Sequence, residues 1–186
     1  MNQATPGTPR IEPLSAPYEA AIAEAFAKVM PPGVEPLSLF RTMARSPRVL
    51  QKMFAGSLLD RGSISLRERE ILILRTTAAC GSEYEWGVHV TMFAERAKLT
   101  EQQVRSTLVF PADASVWSGS ELLLLQLADE LHRDSKVTDA VWDALAAQYS
   151  DEQLLEMLAI AGYYHTISFI TNAARLAPEG FAARFS

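Results

Sequence analysis

Apolar residues recur with a helical period along most of the chain, and polar residues mark where the helices should begin. A Ser or Thr followed three residues later by Glu or Gln is the signature of a capping box. No run of residues alternates between apolar and polar in the way that a strand does. The pattern predicts an all-α fold of roughly seven to nine helices. The predicted capping boxes are Ser65 with Glu68, Ser82 with Glu85, Thr100 with Gln103, Ser118 with Glu121, and Ser150 with Gln153.

Proline divides the first third of the chain into short pieces. Four prolines in the first 17 residues predict an extended or disordered arm over residues 1–17. A helix should follow Pro17 and stop at Pro31, and one or two short helices should be broken near Pro47. We expect residues 18–186 to form a single domain.

Two internal segments, Ile71–Ala79 and Leu122–Leu131, are apolar nearly all round, and the final helix is similar. Helices of this kind are buried in the middle of a bundle or in a subunit interface. A chain of 186 residues has few places to bury three of them. The pattern therefore predicts a homo-oligomer.

Composition and charge exclude several classes of protein. The net charge of -5 and the absence of a basic cluster argue against a nucleic-acid partner. Leu154–Ala174 is long enough to span a bilayer, but Glu156, His165 and Asn172 interrupt it, so we expect no membrane partner. A single cysteine, Cys80, cannot form an intrachain disulfide and fits a reducing, cytoplasmic location.

The stretch "ACGSEYEWGVH" combines a helix–helix turn with candidate chemistry. Gly81 can end one helix and Ser82 can begin the next. In such a hairpin, Glu70 and His89 differ in depth by only ~4.5 Å, so their side chains could meet. Ser82, Glu85 and His89 share one helix face. Glu70, Glu85 and His89 therefore form a candidate site for moving protons near pH 7.

Each of these residues also has a structural interpretation. Ser82 is a natural helix cap, and Glu85 completes its capping box. Glu70 could pair with Arg67 or Arg69 on its own helix. A lone histidine on a helix is often a packed structural residue.

Cys80 precedes Gly81 near the predicted end of a helix. The helix dipole raises the pKa of a thiol at that position, which favours a buried core cysteine over a reactive one. Glu70, Glu85 and His89 could supply three metal ligands, but their spacing is not a known metal motif such as H-E-x-x-H. We therefore expect no metal and no cofactor. His132 and His165 are interpreted as structural, although His165 could line a pocket.

The segment "LREREILILRTTAACGSEYEWGVHVTMFAERAKLTEQQV", Leu66–Val104, resembles the carboxymuconolactone decarboxylase and alkylhydroperoxidase D (AhpD) superfamily. The features that carry the resemblance are a charged helix start that contains Glu, an apolar helix, a Gly-containing turn, the motif E-x-x-x-H and an alanine-rich helix. The core motif covers about residues 48–108, and the later part of the chain resembles the longer members. The resemblance implies an AhpD-like helical bundle that assembles as a homo-oligomer.

The two branches of this superfamily imply different chemistry. The peroxidase branch carries a Cys-x-x-Cys pair before its histidine and a glutamate on the preceding helix. When the sequences are aligned on His89, Ser82 and Glu85 stand at the two cysteine positions. Glu70 stands at the position of the family's glutamate. Peroxide reduction of that type needs a reactive thiolate and a resolving thiol. The decarboxylase branch has a Glu four residues before a His, as Glu85 and His89 stand here, and acts on a carboxylated lactone.

Three functions follow as hypotheses. The first is a cofactor-free acid–base or decarboxylating enzyme on a small carboxylated organic substrate, with Glu70, Glu85 and His89 in the site and a cation from Arg75 or Arg96. The second is an AhpD-like hydroperoxide reductase (peroxiredoxin-type) that uses Cys80. The third is a non-catalytic ligand-binding or scaffold protein, which a closed interior around His89 would favour. Further candidate pocket residues are Ser82, Tyr84, Trp86, Arg96 and His165.

Overall fold

The computed structural model describes residues 8–185. Within that range the chain forms nine α-helices, one short 3-10 turn at Ala114–Val116 and no strand, which confirms the predicted all-α fold. The helices are α1 (Ala20–Ala27), α2 (Ser38–Met43), α3 (Pro47–Ala55), α4 (Leu66–Ala79), α5 (Glu83–Phe93), α6 (Glu101–Ser106), α7 (Gly119–Asp134), α8 (Asp139–Ala146) and α9 (Asp151–Ala174).

Four of the five predicted capping boxes are formed, at the starts of α4, α6, α7 and α9. The fifth prediction, at the start of α5, is wrong. Ser82 is the N-cap residue of α5, but its side chain makes no cap hydrogen bond. The Ser82 hydroxyl is buried and pairs instead with the Thr171 hydroxyl, 2.9 Å away on α9. An interior partner has replaced the local one because the turn packs against α9.

α4 lies at the centre of the bundle and packs against α5, α7 and α9. All of its residues from 69 to 77 are buried, as the sequence predicts for this helix. The other two helices expose one face. Within residues 8–185, α7 buries only four residues, and α9 leaves Leu155 and Phe169 exposed. A homo-oligomer that covers these faces remains a prediction.

Two helix-free segments lie against the bundle. Residues 8–19 contain no helix, and the Arg10 backbone N–H donates to the Ala174 carbonyl at 2.7 Å. Residues 1–7 of the predicted arm lie outside the described residues. At the other end, residues 182–185 cross α5 so closely that a Cβ on Gly87 would lie 2.1 Å from the Ala183 carbonyl oxygen. Glycine is therefore required at this crossing.

Among residues 8–185, no helix has the length and apolar character needed to cross a membrane.

Candidate active site

The turn between α4 and α5 brings Glu70 and His89 together. Gly81 adopts a positive φ of 63° directly after Cys80, which ends α4 and lets α5 run back beside it. Oε2 of Glu70 lies 2.7 Å from Nδ1 of His89, and both side chains are buried. The contact that their matched depths in the hairpin allow is therefore present.

Glu70 also pairs with Arg69, one of the two arginines on its own helix that the sequence offered as partners. Its second oxygen, Oε1, accepts a hydrogen bond from Nε of Arg69 at 3.1 Å. Nη1 of Arg69 donates to the Leu59 carbonyl at 2.7 Å, in the segment that precedes α4. Glu70 therefore bridges an arginine and an imidazole, and its buried charge is compensated on both sides.

The second ring nitrogen of His89 faces two further groups. Nε2 lies 3.0 Å from the Tyr164 hydroxyl on α9 and 3.4 Å from Oε1 of Glu85. Burial alone would lower the pKa of His89, but the charge and hydrogen bond of Glu70, followed by those of Glu85, raise the pKa to about 9. His89 is therefore an imidazolium at neutral pH.

Glu85 has an unsatisfied oxygen. The residue is only 7% exposed, and its Oε2 atom has no hydrogen-bond partner among residues 8–185. A buried acceptor without a donor costs free energy, on the order of 1–3 kcal/mol. Buried polar atoms are nearly always paired, so this oxygen calls for an explanation, and a catalytic role is one of the recognised ones.

Glu85 and His89 open onto a cavity of about 330 Å³. Tyr164 also lines it, and the remaining lining is mainly apolar and aromatic. This volume and character suit a small organic molecule. The principal apolar lining residues are Val29, Met30, Val34, Leu37, Leu39, Phe40, Phe54, Leu59, Val88, Met92, Phe93, Tyr163, Ile167 and Phe181.

A second cavity of about 350 Å³ shares Leu59 and Phe93 with the first in its wall. Its lining is charged. Two arginine side chains lie near the Phe93 ring: the guanidinium carbon of Arg69 is 5.6 Å, and that of Arg96 5.9 Å, from the ring centroid. Arg96 therefore lines this second cavity and not the one at His89. The charged residues of the lining are Asp60, Arg61, Arg69, Arg96 and Glu156.

Four other candidate pocket residues do not line the cavity at His89, because each faces another part of the interior or surface. Ser82 pairs with Thr171, as described above. Tyr84 donates to Oε1 of Glu179 at 2.5 Å, and Trp86 donates from Nε1 to the Thr107 hydroxyl at 2.9 Å. The fourth, His165, lies beside His132.

Arg75, considered as a cation for the substrate, belongs to the packing of the bundle. Its side chain is fully buried and makes two hydrogen bonds to the Asp129 carboxylate, from Nε at 2.6 Å and from Nη2 at 2.7 Å. Nη1 donates to the carbonyls of Thr107 and Val109. No donor of this guanidinium faces the cavity at His89.

Cys80, His132 and His165 form a separate cluster that the sequence did not predict. Sγ of Cys80 lies 3.6 Å from Nδ1 of His132, which in turn lies 3.1 Å from Nε2 of His165. Burial raises the pKa of the Cys80 thiol, and the nearby Ser168 hydroxyl offsets part of that rise. His132 and His165 were interpreted as separate structural residues, and their contact with each other and with Cys80 was not predicted. We expected no metal, but the three ligand atoms are close enough together to hold a metal ion.

Tyr164 is the site residue that the sequence analysis missed. The stretch "GYYHTISF" drew attention to His165, yet successive helical residues point about 100° apart. Tyr164 faces His89, whereas His165 faces α7. Tyr164 continues a series of buried residues on α9 that are three or four positions apart: Met157, Ile160, Tyr164 and Ile167. This helical spacing could have predicted that Tyr164 faces the interior.

The sequence and the fold both have known relatives. Residues 45–130 match the model of the carboxymuconolactone decarboxylase family. Among curated proteins, no sequence matches the chain significantly.

Several crystal structures share the fold at low identity. An uncharacterized peroxidase-related protein from Silicibacter sp. TM1040 has a TM-score of 0.76 and 16% identity, with 100% of both chains covered. The alkylhydroperoxidase AhpD core protein, an uncharacterized peroxidase-related protein from Ralstonia eutropha JMP134, has a TM-score of 0.73 and 19% identity, with 91% of this chain and 93% of that chain covered. A variant of the debrominase Bmp8 in complex with 2,3,4-tribromopyrrole has a TM-score of 0.72 and 18% identity, with 95% of each chain covered. The family match over residues 45–130 therefore supports a resemblance to the carboxymuconolactone decarboxylase family, and the fold resembles that of AhpD-like proteins.

Proposed function

We propose that this protein is a cofactor-free acid–base enzyme that moves a proton on a small carboxylated organic molecule, with Glu85 as the general base or acid. The unpartnered Oε2 atom of Glu85, buried at the wall of an apolar cavity, is the observation that carries the proposal. A substrate C–H or O–H would supply the missing donor. A positioned carboxylate in such a site contributes about 10²- to 10⁴-fold to the rate of proton transfer.

His89 and Tyr164 would carry the charge that this transfer creates. The imidazolium of His89 lies beside Glu85 and is held by Glu70, so it can stabilise an enolate-like intermediate without reorganising. The Tyr164 hydroxyl also lines the cavity and contacts Nε2 of His89. Among residues 8–185, the polar contacts of the Glu70 carboxylate are with His89 and Arg69, so we assign it as a positioning residue.

The charged lining of the second cavity is an argument for a carboxylated substrate. The apolar body of the molecule would lie in the cavity at Glu85, and its carboxylate would lie past Leu59 and Phe93, near Arg69 and Arg96. Asp60 and Glu156 line the same cavity, so its net charge is low and a single carboxylate is the anion that it suits. The complex of Bmp8 with 2,3,4-tribromopyrrole is that of a related fold with a small ring compound.

Two observations favour this proposal over the alternatives. The only thiol, Cys80, does not line the cavity at His89, and burial raises its pKa, which is unfavourable for hydroperoxide reduction. The scaffold hypothesis expected a closed interior around His89, whereas a cavity opens there.

Hydrogen–deuterium exchange into candidate substrates tests the proposal without requiring the complete reaction to be known. The protein is incubated in D₂O with a panel of carboxylated lactones and small keto acids, and exchange and decarboxylation are followed by NMR. We expect turnover by the wild type and by Cys80→Ser, and a loss of about 10²- to 10⁴-fold in Glu85→Gln.

Hydroperoxide consumption with a dithiol reductant is the matched control. Turnover that requires Cys80 would overturn the proposal in favour of a thiol peroxidase. Equal exchange rates in the wild type and Glu85→Gln would remove Glu85 from the mechanism.

We also propose that the chain forms a homo-oligomer through the exposed stripe of α9. Leu155 and Phe169 are 67% and 63% exposed, and small residues separate them on the same helix face: Ala159, Gly162 and Thr166. Small residues let two helices approach closely. Light scattering of the wild type and Phe169→Asp tests this, with a smaller particle expected for the variant.

We also propose that the protein is located in the cytoplasm, because its one cysteine, Cys80, is a free thiol and the cytoplasm keeps thiols reduced. A thiol that is found oxidised in protein isolated from cells would contradict it.

A further inference from the structure

The cluster of Cys80, His132 and His165 joins the three central helices outside the proposed active site. Cys80 ends α4, His132 lies in the last turn of α7, and His165 lies midway along α9. One ligand atom from each residue lies within 4.8 Å of the other two. Cys80 and His165 are half-buried and His132 is exposed, so an ion could reach the cluster from solvent.

The spacing of these atoms is that of ligands around a tetrahedral metal ion. Zinc bonds of about 2.3 Å to sulfur and about 2.0–2.1 Å to nitrogen place tetrahedral S and N ligands about 3.6 Å apart and two N ligands about 3.3 Å apart. The Cys80–His132 separation is 3.6 Å, and the His132–His165 separation is 3.1 Å. The ligand atoms of Cys80 and His165 lie within 4.8 Å of each other, and zinc would set this third separation at about 3.6 Å.

The tautomer of His165 is already set for coordination. Nδ1 of His165 lies 2.8 Å from the Ala161 carbonyl oxygen, which can only accept a hydrogen bond. The ring proton is therefore on Nδ1, and Nε2 presents its lone pair to the cluster. This is the outer-shell arrangement of metal-bound histidines. The Cys80 main chain is held as well, because the Asn172 amide donates to its carbonyl at 2.8 Å.

We propose that Cys80, His132 and His165 bind one Zn²⁺ ion. One sulfur and two imidazole nitrogens suit zinc, which is borderline-soft, better than they suit Mg²⁺ or Ca²⁺. Three protein ligands leave a fourth position, which a water would fill. The site is independent of the proposed acid–base chemistry, since Nδ1 of His89 is committed to Glu70.

Zinc titration of the chelator-stripped protein, in competition with a chromophoric chelator, tests the proposal. We expect one ion per chain for the wild type, and an affinity at least about 100-fold lower for Cys80→Ser and His165→Gln, since loss even of a supporting group costs up to that much. His89→Gln is the matched control, because it removes the remaining histidine of the chain and should leave zinc binding unchanged.

Two further measurements identify the ligands and check the fold. Co²⁺ in place of zinc should give a thiolate-to-cobalt charge-transfer band in the wild type and in His89→Gln, and Cys80→Ser should lack it. Saturating zinc should raise the Tm of the wild type and leave that of Cys80→Ser unchanged. Full affinity in both cluster variants, loss of binding in His89→Gln, or a cobalt complex without the sulfur band would overturn the proposal.

Discussion

α4 contributes one residue to each of two histidine clusters, Glu70 near its start and Cys80 at its end, and the groups around the imidazoles differ between the two. Near its start, Glu70 and Glu85 surround His89 in the interior and raise its pKa to about 9. At its end, Cys80 and His165 contact the exposed His132, whose pKa is lowered by burial and by the neighbouring imidazole, while the charge of Asp129 offsets part of that fall. One imidazole is therefore held charged by carboxylates and the other is held neutral.

This difference separates the two kinds of chemistry. Carboxylates occupy both sides of His89, which suits the proposed proton transfer. The Cys80 cluster contains donors with lone pairs and no carboxylate, which is the composition of a site for a soft cation. The presence of histidine does not distinguish the two sites, because the side chains around an imidazole ring decide its role.

Glu70→Ala should produce the largest effect. The change leaves His89 and Arg69 buried without their shared acceptor, and breaking a buried pair in this way costs about 3–5 kcal/mol. Chemical denaturation of the wild type and the variant measures the loss. A cost below about 1 kcal/mol would mean that water or another group compensates the charge, and the buried bridge would not be the stabilising contact.

Glu70→Gln sharpens the same comparison by titration. We expect the pKa of His89 to fall from about 9 towards or below 6.5, because burial, which lowers it, remains and the main opposing charge is gone. NMR of the three imidazoles follows this directly, since His132 should keep its lowered value. An unchanged His89 titration would show that Glu85 alone sets its charge.

The stability of the protein should fall between about pH 6.5 and pH 9. The folded pKa of His89 lies above its unfolded value of 6.5, so the stabilisation is fully present below pH 6.5 and is lost as the pH rises through about 9. The shift corresponds to roughly 3 kcal/mol. Denaturation across this range is the measurement, with His89→Gln as the control that should lack the slope. An identical slope in that variant would assign it to other groups.

Tyr164→Phe should have a smaller effect. It removes one hydrogen bond to Nε2 of His89 and keeps the packed ring, at a cost of about 0.5–1.5 kcal/mol. If the hydroxyl takes part in the chemistry, exchange into substrate falls further than this stability change explains. Equal exchange in both proteins would leave Tyr164 a packing residue.

Cys80→Ser should change stability least when metal is absent. The residue is half-buried, its thiol contacts the exposed His132, and such a conservative change is usually within about 0.5 kcal/mol. Denaturation in the presence of a chelator checks this. A large loss without metal would show that Cys80 packs as part of the core.

Much of the fold and half of the site were accessible from the sequence because they depend on local order. Capping residues and helical periodicity fixed the helix starts, and the Gly81 turn fixed the depth of Glu70 and His89. The failures share a different cause. Ser82 pairs with a residue of α9. Tyr164, for which no role was predicted, faces His89, whereas its neighbour His165 faces α7. His132 contacts Cys80 across the bundle. Each of these depends on how helices that are distant in the sequence pack against one another, which local patterns do not specify.

The close crossing at Gly87 has a consequence for biosynthesis. Glu179 and Phe181 line the cavity at His89, and Ala183 lies on α5, although α5 is synthesised about 90 residues earlier. While a ribosome still holds residues beyond 178, the cavity lacks part of its wall. Glu70 and His89 are therefore synthesised well before the cavity at His89 can be complete, and the cavity closes only when translation has passed this segment.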